Sequence, residues 1–333
     1  MARFLILGGT GFVGRHITEA ALAAGHDVTL FNRGKTNPDA FAGAGNVTTL
    51  VGDRQAGGLD ALRGTGEWDA CVDVNAYVPR VVREAVDALA GRVGHYTYIS
   101  TVSVYEPTDQ GPVDEDFPTQ ELDEPDTENV DNDTYGPLKR LCEEVALEAF
   151  PANCTVVRPG IVAGPYDPTD RFTYWVRRAA QGGEMLVPNR PDQPVQVVHA
   201  RDQGDFVVKA SVDRVHGLYN SVGPTEPLTF EGLIAACCEA AGTSVSIEWV
   251  DEDFLREEKA GVPLYVPSAA GMDGLFQASS ERARALGLVN RPIAETAADT
   301  LAWDRTRDQS QPIGGMSPER ERELLTRWRE GRA

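Results

Sequence analysis

The 333-residue chain, with 41% hydrophobic and 25% charged side chains, has the composition of a folded core, which excludes a disordered tail, a collagen-like repeat and a membrane-embedded chain. Fifty-one acids against 31 bases leave a net charge of −20, which repels nucleic acid and anionic membranes at long range, so neither is an expected partner. Cys71, Cys142, Cys154, Cys237 and Cys238 have no CxxC spacing, and the five histidines have no ligand spacing. No disulfide framework or metal site is therefore expected. The first apolar run, residues 4–7, is too short for the core of a signal peptide, and a reduced cytoplasm is the expected location.

In chain order, short β-branched runs predict strands at residues 4–7, 28–31, 47–51, 70–74, 96–100 and 155–158. Amphipathic stretches predict helices at 13–24, 79–90 and 135–149, the last with Leu138, Leu141, Val145 and Ala149 at helical spacing. This alternation is the pattern of βαβ units, so the expected fold is α/β, a Rossmann-type doubly wound parallel sheet. The framework is expected over residues 1–165. A smaller C-terminal substrate lobe is expected over 166–333, interleaved with the last framework elements. There the readings are helices at 172–180, 201–211 and 230–241, an extended segment at 195–199 and a strand at 244–250. Ser280 is read as the cap of a short helix and Ser317 as the start of a final charged one. Residues 114–133 hold ten carboxylates and no base; the stretch reads as a solvated loop, with a lid or a dock for a cation as the alternative.

Gly8, Gly11 and Gly14 lie between the first strand and first helix, with Thr10, Phe12 and Val13 among them. Glycine there lets the backbone turn tightly and approach a pyrophosphate, while the helix amides donate to it. After the second strand, where an acid usually takes the adenosine ribose hydroxyls, stand Asn32, Arg33 and Lys35. The two cations suit a 2′-phosphate, so NADP(H) is preferred over NAD(H), which is still possible. Asp53, followed by Arg54, reads either as an acceptor for the adenine amine or as a turn aspartate. Tyr135 and Lys139 are four residues apart on one helical face. An ammonium beside a phenol favours the phenolate, and Lys139 is also placed for the nicotinamide ribose. Ser100, Thr101 and Ser103 put hydroxyls at the carboxyl edge of the sheet, and spacing alone does not separate them.

Taken together, the GxxGxxG of Gly8, Gly11 and Gly14, the Asp53 turn, the Ser/Thr strand end, the YxxxK of Tyr135 and Lys139, Arg158-Pro159 and Gly164-Pro165 resemble the extended short-chain dehydrogenase/reductase superfamily, of the NAD-dependent epimerase/dehydratase type. The resemblance implies a catalytic hydroxyl four residues before the tyrosine of Val104-Tyr105, which singles out Thr101. It implies proton exchange by Tyr135 at a substrate oxygen while hydride passes between the adjacent carbon and the nicotinamide. It also implies that the loop Pro159, Gly160, Ile161, Val162 covers the nicotinamide face, and that a homodimer forms through the helix bearing Tyr135 and its neighbour.

Three positions depart from that pattern. Val102-Ser103 replace the Asp-Glu that serves sugar-nucleotide dehydratases, Ile161 replaces an asparagine that helps hold a nucleotide-sugar diphosphate, and no acid follows the second strand. The expected activity is therefore an NADP-preferring oxidoreductase acting at a carbonyl or secondary alcohol of a small polar substrate, possibly a sugar or nucleotide sugar. An epimerase retaining NAD(H) is the second expectation. The stretches 31–35 and 68–80 also resemble an atypical branch that includes chloroplast stem-loop RNA-binding proteins. RNA binding or a cofactor-sensing scaffold is thus the non-enzyme alternative.

Overall fold

After Arg3 every residue of β1 (Arg3–Leu7) is buried, and its side chains alternate between two faces. Leu5 and Leu7 join one core with Tyr96, Tyr98, Val81, Val82 and Leu138, whereas Phe4 and Ile6 join another with Ile17, Leu30 and Phe206. A strand buried on both sides needs helices on both sides, which is why its sequence is continuously apolar. In the computed structural model, which describes residues 1–64, 66–124 and 126–331, the helices α1 (Phe12–Ala23) and α5 (Ala200–Val212) cover one face. The helices α2 (Pro79–Leu89) and α3 (Tyr135–Ala149) cover the other. The last two residues of the expected lobe and Pro125 of the acidic stretch lie outside the described residues.

Six further strands complete the sheet: β2 (Asp27–Asn32), β3 (Val47–Val51), β4 (Ala70–Asp73), β5 (Tyr96–Ile99), β6 (Cys154–Pro159) and β10 (Gly217–Ser221). Their order is β10-β6-β5-β4-β1-β2-β3, and every neighbouring pair is parallel. The doubly wound α/β fold expected from the alternation is therefore present. The chain winds outward in opposite directions from β1, which pairs with both β2 and β4. Such a reversal opens a crevice at the carboxyl ends of the strands.

Beyond residue 165 the chain returns to the framework through α5 and β10 and builds a lobe with the rest. The lobe holds a parallel pair, β8 (Gly183–Pro188) and β11 (Val245–Val250), under α4 (Arg171–Gln181), α6 (Phe230–Ala241) and α9 (Ile293–Asp304). Trp175, Phe230, Leu233 and Leu301 fill its core. A second parallel pair, β7 (Ile161–Ala163) and β9 (Val197–His199), joins lobe to sheet, so the expected loop 159–162 is partly strand. The last helix, α10 (Pro318–Glu330), starts at Ser317, whose hydroxyl accepts from the Arg320 amide at 3.2 Å. It is latched by the buried Arg178–Glu321 pair at 2.6 Å.

Two expectations change. Ser280 precedes the short helix α8 (Glu281–Ala285), but its hydroxyl accepts from the Arg284 guanidinium at 3.1 Å and caps no amide. The acidic stretch is tied down by the chain's own cations: Arg80 holds Glu128 at 2.6 Å and Arg282 pairs with Asp116. Glu115 within it is buried and accepts from the Asn220 amide at 2.8 Å, so it is not a purely solvated loop. The outer faces of α2 and α3 carry ion pairs, Arg80–Glu84, Arg83–Glu148 and Arg140–Glu144. Among the described residues the exposed large apolar side chains nearest these helices are Tyr77 and Val130.

Candidate active site

A cleft of about 670 Å³ follows the carboxyl edge of the sheet across the β1–β4 reversal. At one end lie the turn after β1 and the start of α1. A Cβ placed on Gly14 would stand 2.0 Å from the Gly8 carbonyl oxygen, so only glycine lets the helix pack this tightly against the turn. No side chain caps α1 at Gly11, which leaves its first amides free for an anion. Thr10 closes the turn by donating from its hydroxyl to the Thr36 carbonyl at 2.7 Å.

Farther along, Asn32, Arg33, Lys35, Asp53 and Arg54 line the same cleft. Asn32 accepts from the Gly34 amide at 2.9 Å, while its buried Nδ2 has no partner. Arg33 and Lys35 are exposed. Asp53 serves as a turn residue, accepting from the Gln55 amide at 3.2 Å. Arg54 pairs with Asp73, with Nη1 at 2.8 Å from a carboxylate oxygen, and both residues are buried. Burial works against the Asp73 carboxylate, but the Arg54 charge outweighs it and holds the group below the usual carboxylate range.

At the other end stand Thr101, Tyr135 and Lys139. Thr101 opens a 3-10 turn, Val102–Val104, and its hydroxyl accepts from the Ser103 amide at 3.1 Å. Gly136 lets α3 press on this turn, since a Cβ there would lie 2.0 Å from the Ser103 carbonyl oxygen. That approach brings the Tyr135 phenol to the Thr101 hydroxyl. Lys139 is 1% exposed; its Nζ donates to the carbonyls of Ile99 at 2.7 Å and Ala76 at 2.9 Å and lies 4.3 Å from the Tyr98 ring centroid. Burial draws the Lys139 pKa down to about 8. Burial and Tyr77 push the Tyr135 phenol above its ordinary value, opposed by Thr101 and Arg171, so in the free chain the phenolate field ascribed to Lys139 is not the deciding influence.

Of the expected site residues, two fall away from the cleft. Ser100 is buried with its hydroxyl unpartnered. Ile161 packs on the lobe core, because neighbours in a strand face opposite ways and Gly160 and Val162 take the cleft face beside Pro159. The cleft is completed by Asn75, Tyr77, Asp167, Thr169 and Arg171, which sequence spacing did not indicate. Among the described residues no His, Cys, Asp or Glu group is arranged for a metal, and no helix is long and apolar enough to cross a membrane.

A glycine-lined helix start and two exposed cations in a crevice at the sheet reversal are the arrangement of a Rossmann-type fold, and a YxxxK pair at the far end is that of the extended short-chain dehydrogenase type. The model of the NAD dependent epimerase/dehydratase family matches residues 4–220, and the chain belongs to that family. Its sequence is 27% identical over 259 residues to the chloroplast stem-loop binding protein of 41 kDa b of Arabidopsis thaliana, covering 72% of this chain and 63% of that protein. A putative epimerase from Burkholderia cenocepacia shares the fold at a TM-score of 0.71 and 19% identity, over 92% of this chain and 98% of the other. MoeE5, solved in complex with UDP-glucose and NAD, shares it at a TM-score of 0.67 and 18% identity, over 91% and 99%.

Proposed function

We propose that the chain is an NADP-preferring oxidoreductase that transfers hydride at a carbonyl or secondary alcohol of a small, sugar-like polar substrate, with Thr101, Tyr135 and Lys139 as its active-site residues. The observation that carries this reading is that one continuous cleft holds the glycine turn at one end and the Thr101–Tyr135 pair at the other. When bound, a reduced nicotinamide supplies the hydride. In reduction, the Tyr135 phenol gives its proton to the substrate oxygen as the adjacent carbon becomes a secondary alcohol carbon. Thr101, whose hydroxyl donates to the Ser103 hydroxyl at 3.1 Å, would exchange that bond for one to the same oxygen and make the carbon more electrophilic. The Lys139 ammonium, fixed by two carbonyls, keeps a third donor for the ribose and favours the phenolate once the proton has left. Gly8, Gly11, Phe12, Val13 and Gly14 would hold the pyrophosphate, Asn32, Arg33 and Lys35 the adenosine end, and Pro159, Gly160 and Val162 the nicotinamide side. The reading places the chain in the cytoplasm, where its five free cysteines would stay reduced.

The cofactor content of the purified protein separates net reduction from epimerisation. Ready exchange with free NADPH and its consumption with sugar-like carbonyl compounds is the expected result; firmly retained NAD(H) without net consumption would favour the epimerase. Replacing Arg33 by Ala is expected to weaken NADPH binding by about tenfold, the loss of one charge-assisted phosphate contact. NADH binding should be nearly unchanged, and equal losses would withdraw the 2′-phosphate assignment.

RNA binding, suggested by the name of the Arabidopsis relative, has less to stand on. Arg177 and Arg178, the basic pair that stands out in the sequence, are engaged by Asp304 and Glu321. On α10, Arg320, Arg322, Arg327 and Arg329 each pair with a glutamate. Phosphates would therefore meet the −20 chain with those bases already neutralised.

A further inference from the structure

In a chain so short of bases, most arginines of the lobe are consumed by acids. Arg177 holds Asp304, Arg178 holds Glu321 and Arg307 holds Asp170. Arg171, the first residue of α4, is different. It is exposed in the cleft that holds Thr101 and Tyr135, and its side chain makes a single hydrogen bond among the described residues, from Nε to the Thr169 hydroxyl at 3.2 Å. That hydroxyl donates in turn to Asp167 at 2.7 Å, and the same carboxylate oxygen accepts from the Thr169 amide at 2.8 Å. Asp167 is only 2% exposed, so the short loop is fixed from within. The relay Asp167–Thr169–Arg171 thus secures the Nε end of the guanidinium, whose charge also acts on the Asp167 carboxylate, and leaves the Nη fork without a hydrogen-bond partner among the described residues.

We propose that Arg171 anchors an oxyanion, a carboxylate or a phosphate, carried by the substrate. A planar fork held by its inner nitrogen is preorganised for two parallel bonds to such a group. Its place on the lobe side, beyond the loop that follows β7, assigns it to the substrate, while Arg33 and Lys35 stand at the other end of the cleft. The Arg171 charge also reaches Tyr135 and opposes the upward push of burial on the phenol. Neutralisation of Arg171 by a bound anion would remove that influence, so substrate binding would make Tyr135 a firmer proton holder. The inference deepens the oxidoreductase reading and rests on it for the identity of the ligand as substrate.

The test is titration of NADPH-loaded protein with inorganic phosphate and with malonate, at constant ionic strength, in the wild type, Arg171→Gln and Arg171→Lys. Saturable binding of at least one anion is expected in the wild type, weakened about 10- to 100-fold in R171Q and in part restored in R171K. Preference for phosphate or for malonate names the oxyanion. NADPH affinity should stay within about twofold in all three proteins, as expected for a group outside the cofactor's contacts. Equal anion binding in wild type and R171Q, no saturable binding in the wild type, or a loss of NADPH affinity in R171Q would each overturn the proposal. Should the anion bind through Arg171 while no anionic carbonyl or hydroxy compound is turned over, the oxidoreductase reading fails and the anion site stands.

Discussion

Replacement of Tyr135 by Phe is expected to lower turnover by about 10²- to 10⁴-fold, the usual worth of a positioned acid or base, with cofactor affinity nearly intact. The phenol is the cleft's proton carrier beside Thr101, and phenylalanine keeps its ring, including the tilted contact with Tyr77 at 6.2 Å between centroids. The loss should therefore fall on turnover and not on fold. The pH profile gives the same chemistry a sign. Reduction needs a protonated phenol and is helped by a charged Lys139. Since burial places the ammonium near 8, the reduction rate should decline as pH rises through about 8, whereas oxidation, which needs the phenolate, should gain from alkali. Undiminished turnover in the Phe variant would remove Tyr135 from the mechanism.

The second large effect is expected at Gly14. An added methyl group would lie 2.0 Å from the Gly8 carbonyl oxygen, a backbone atom that cannot swing aside. In Gly14→Ala the turn and α1 must separate, at a cost of about 1–3 kcal/mol for overpacking. The same movement spoils the amide geometry that a pyrophosphate requires, so NADPH affinity should fall at least about tenfold. Gly45, around which nothing lies within 4 Å, is the control; alanine there should change neither melting temperature nor affinity.

The framework was legible because its central strands are buried on both faces and are therefore largely apolar, as in β1, where Phe4 to Leu7 are all buried. The seventh strand carries no strand signal because β10 reads GLYNS: it is half polar and lies at the sheet's edge. Helix α9 was missed although Ala297, Thr300 and Leu301 face the core, its buried side being built largely from small residues. In the site, motif spacing places Gly8, Gly11, Gly14, Tyr135 and Lys139 on the cleft, because local backbone rules bind each motif to a strand end or helix start, whereas only the family resemblance singles out Thr101 there. Ile161 stands off the cleft because alternation within β7 sets it opposite Val162. Arg171 carried no such signal. Its placement beside Tyr135 depends on the lobe folding back on the sheet, and its freedom depends on which acids its neighbours have already taken.

The claim on which the rest depends is that a nicotinamide dinucleotide lies in this cleft with its ring at Tyr135. Titration of the protein with NADPH, followed by nicotinamide fluorescence in the wild type and in Gly14→Ala, tests it most directly. The account predicts saturable binding at one site per chain and a markedly weaker site in the variant. Absence of saturable binding, or an equal affinity in the two proteins, would contradict it.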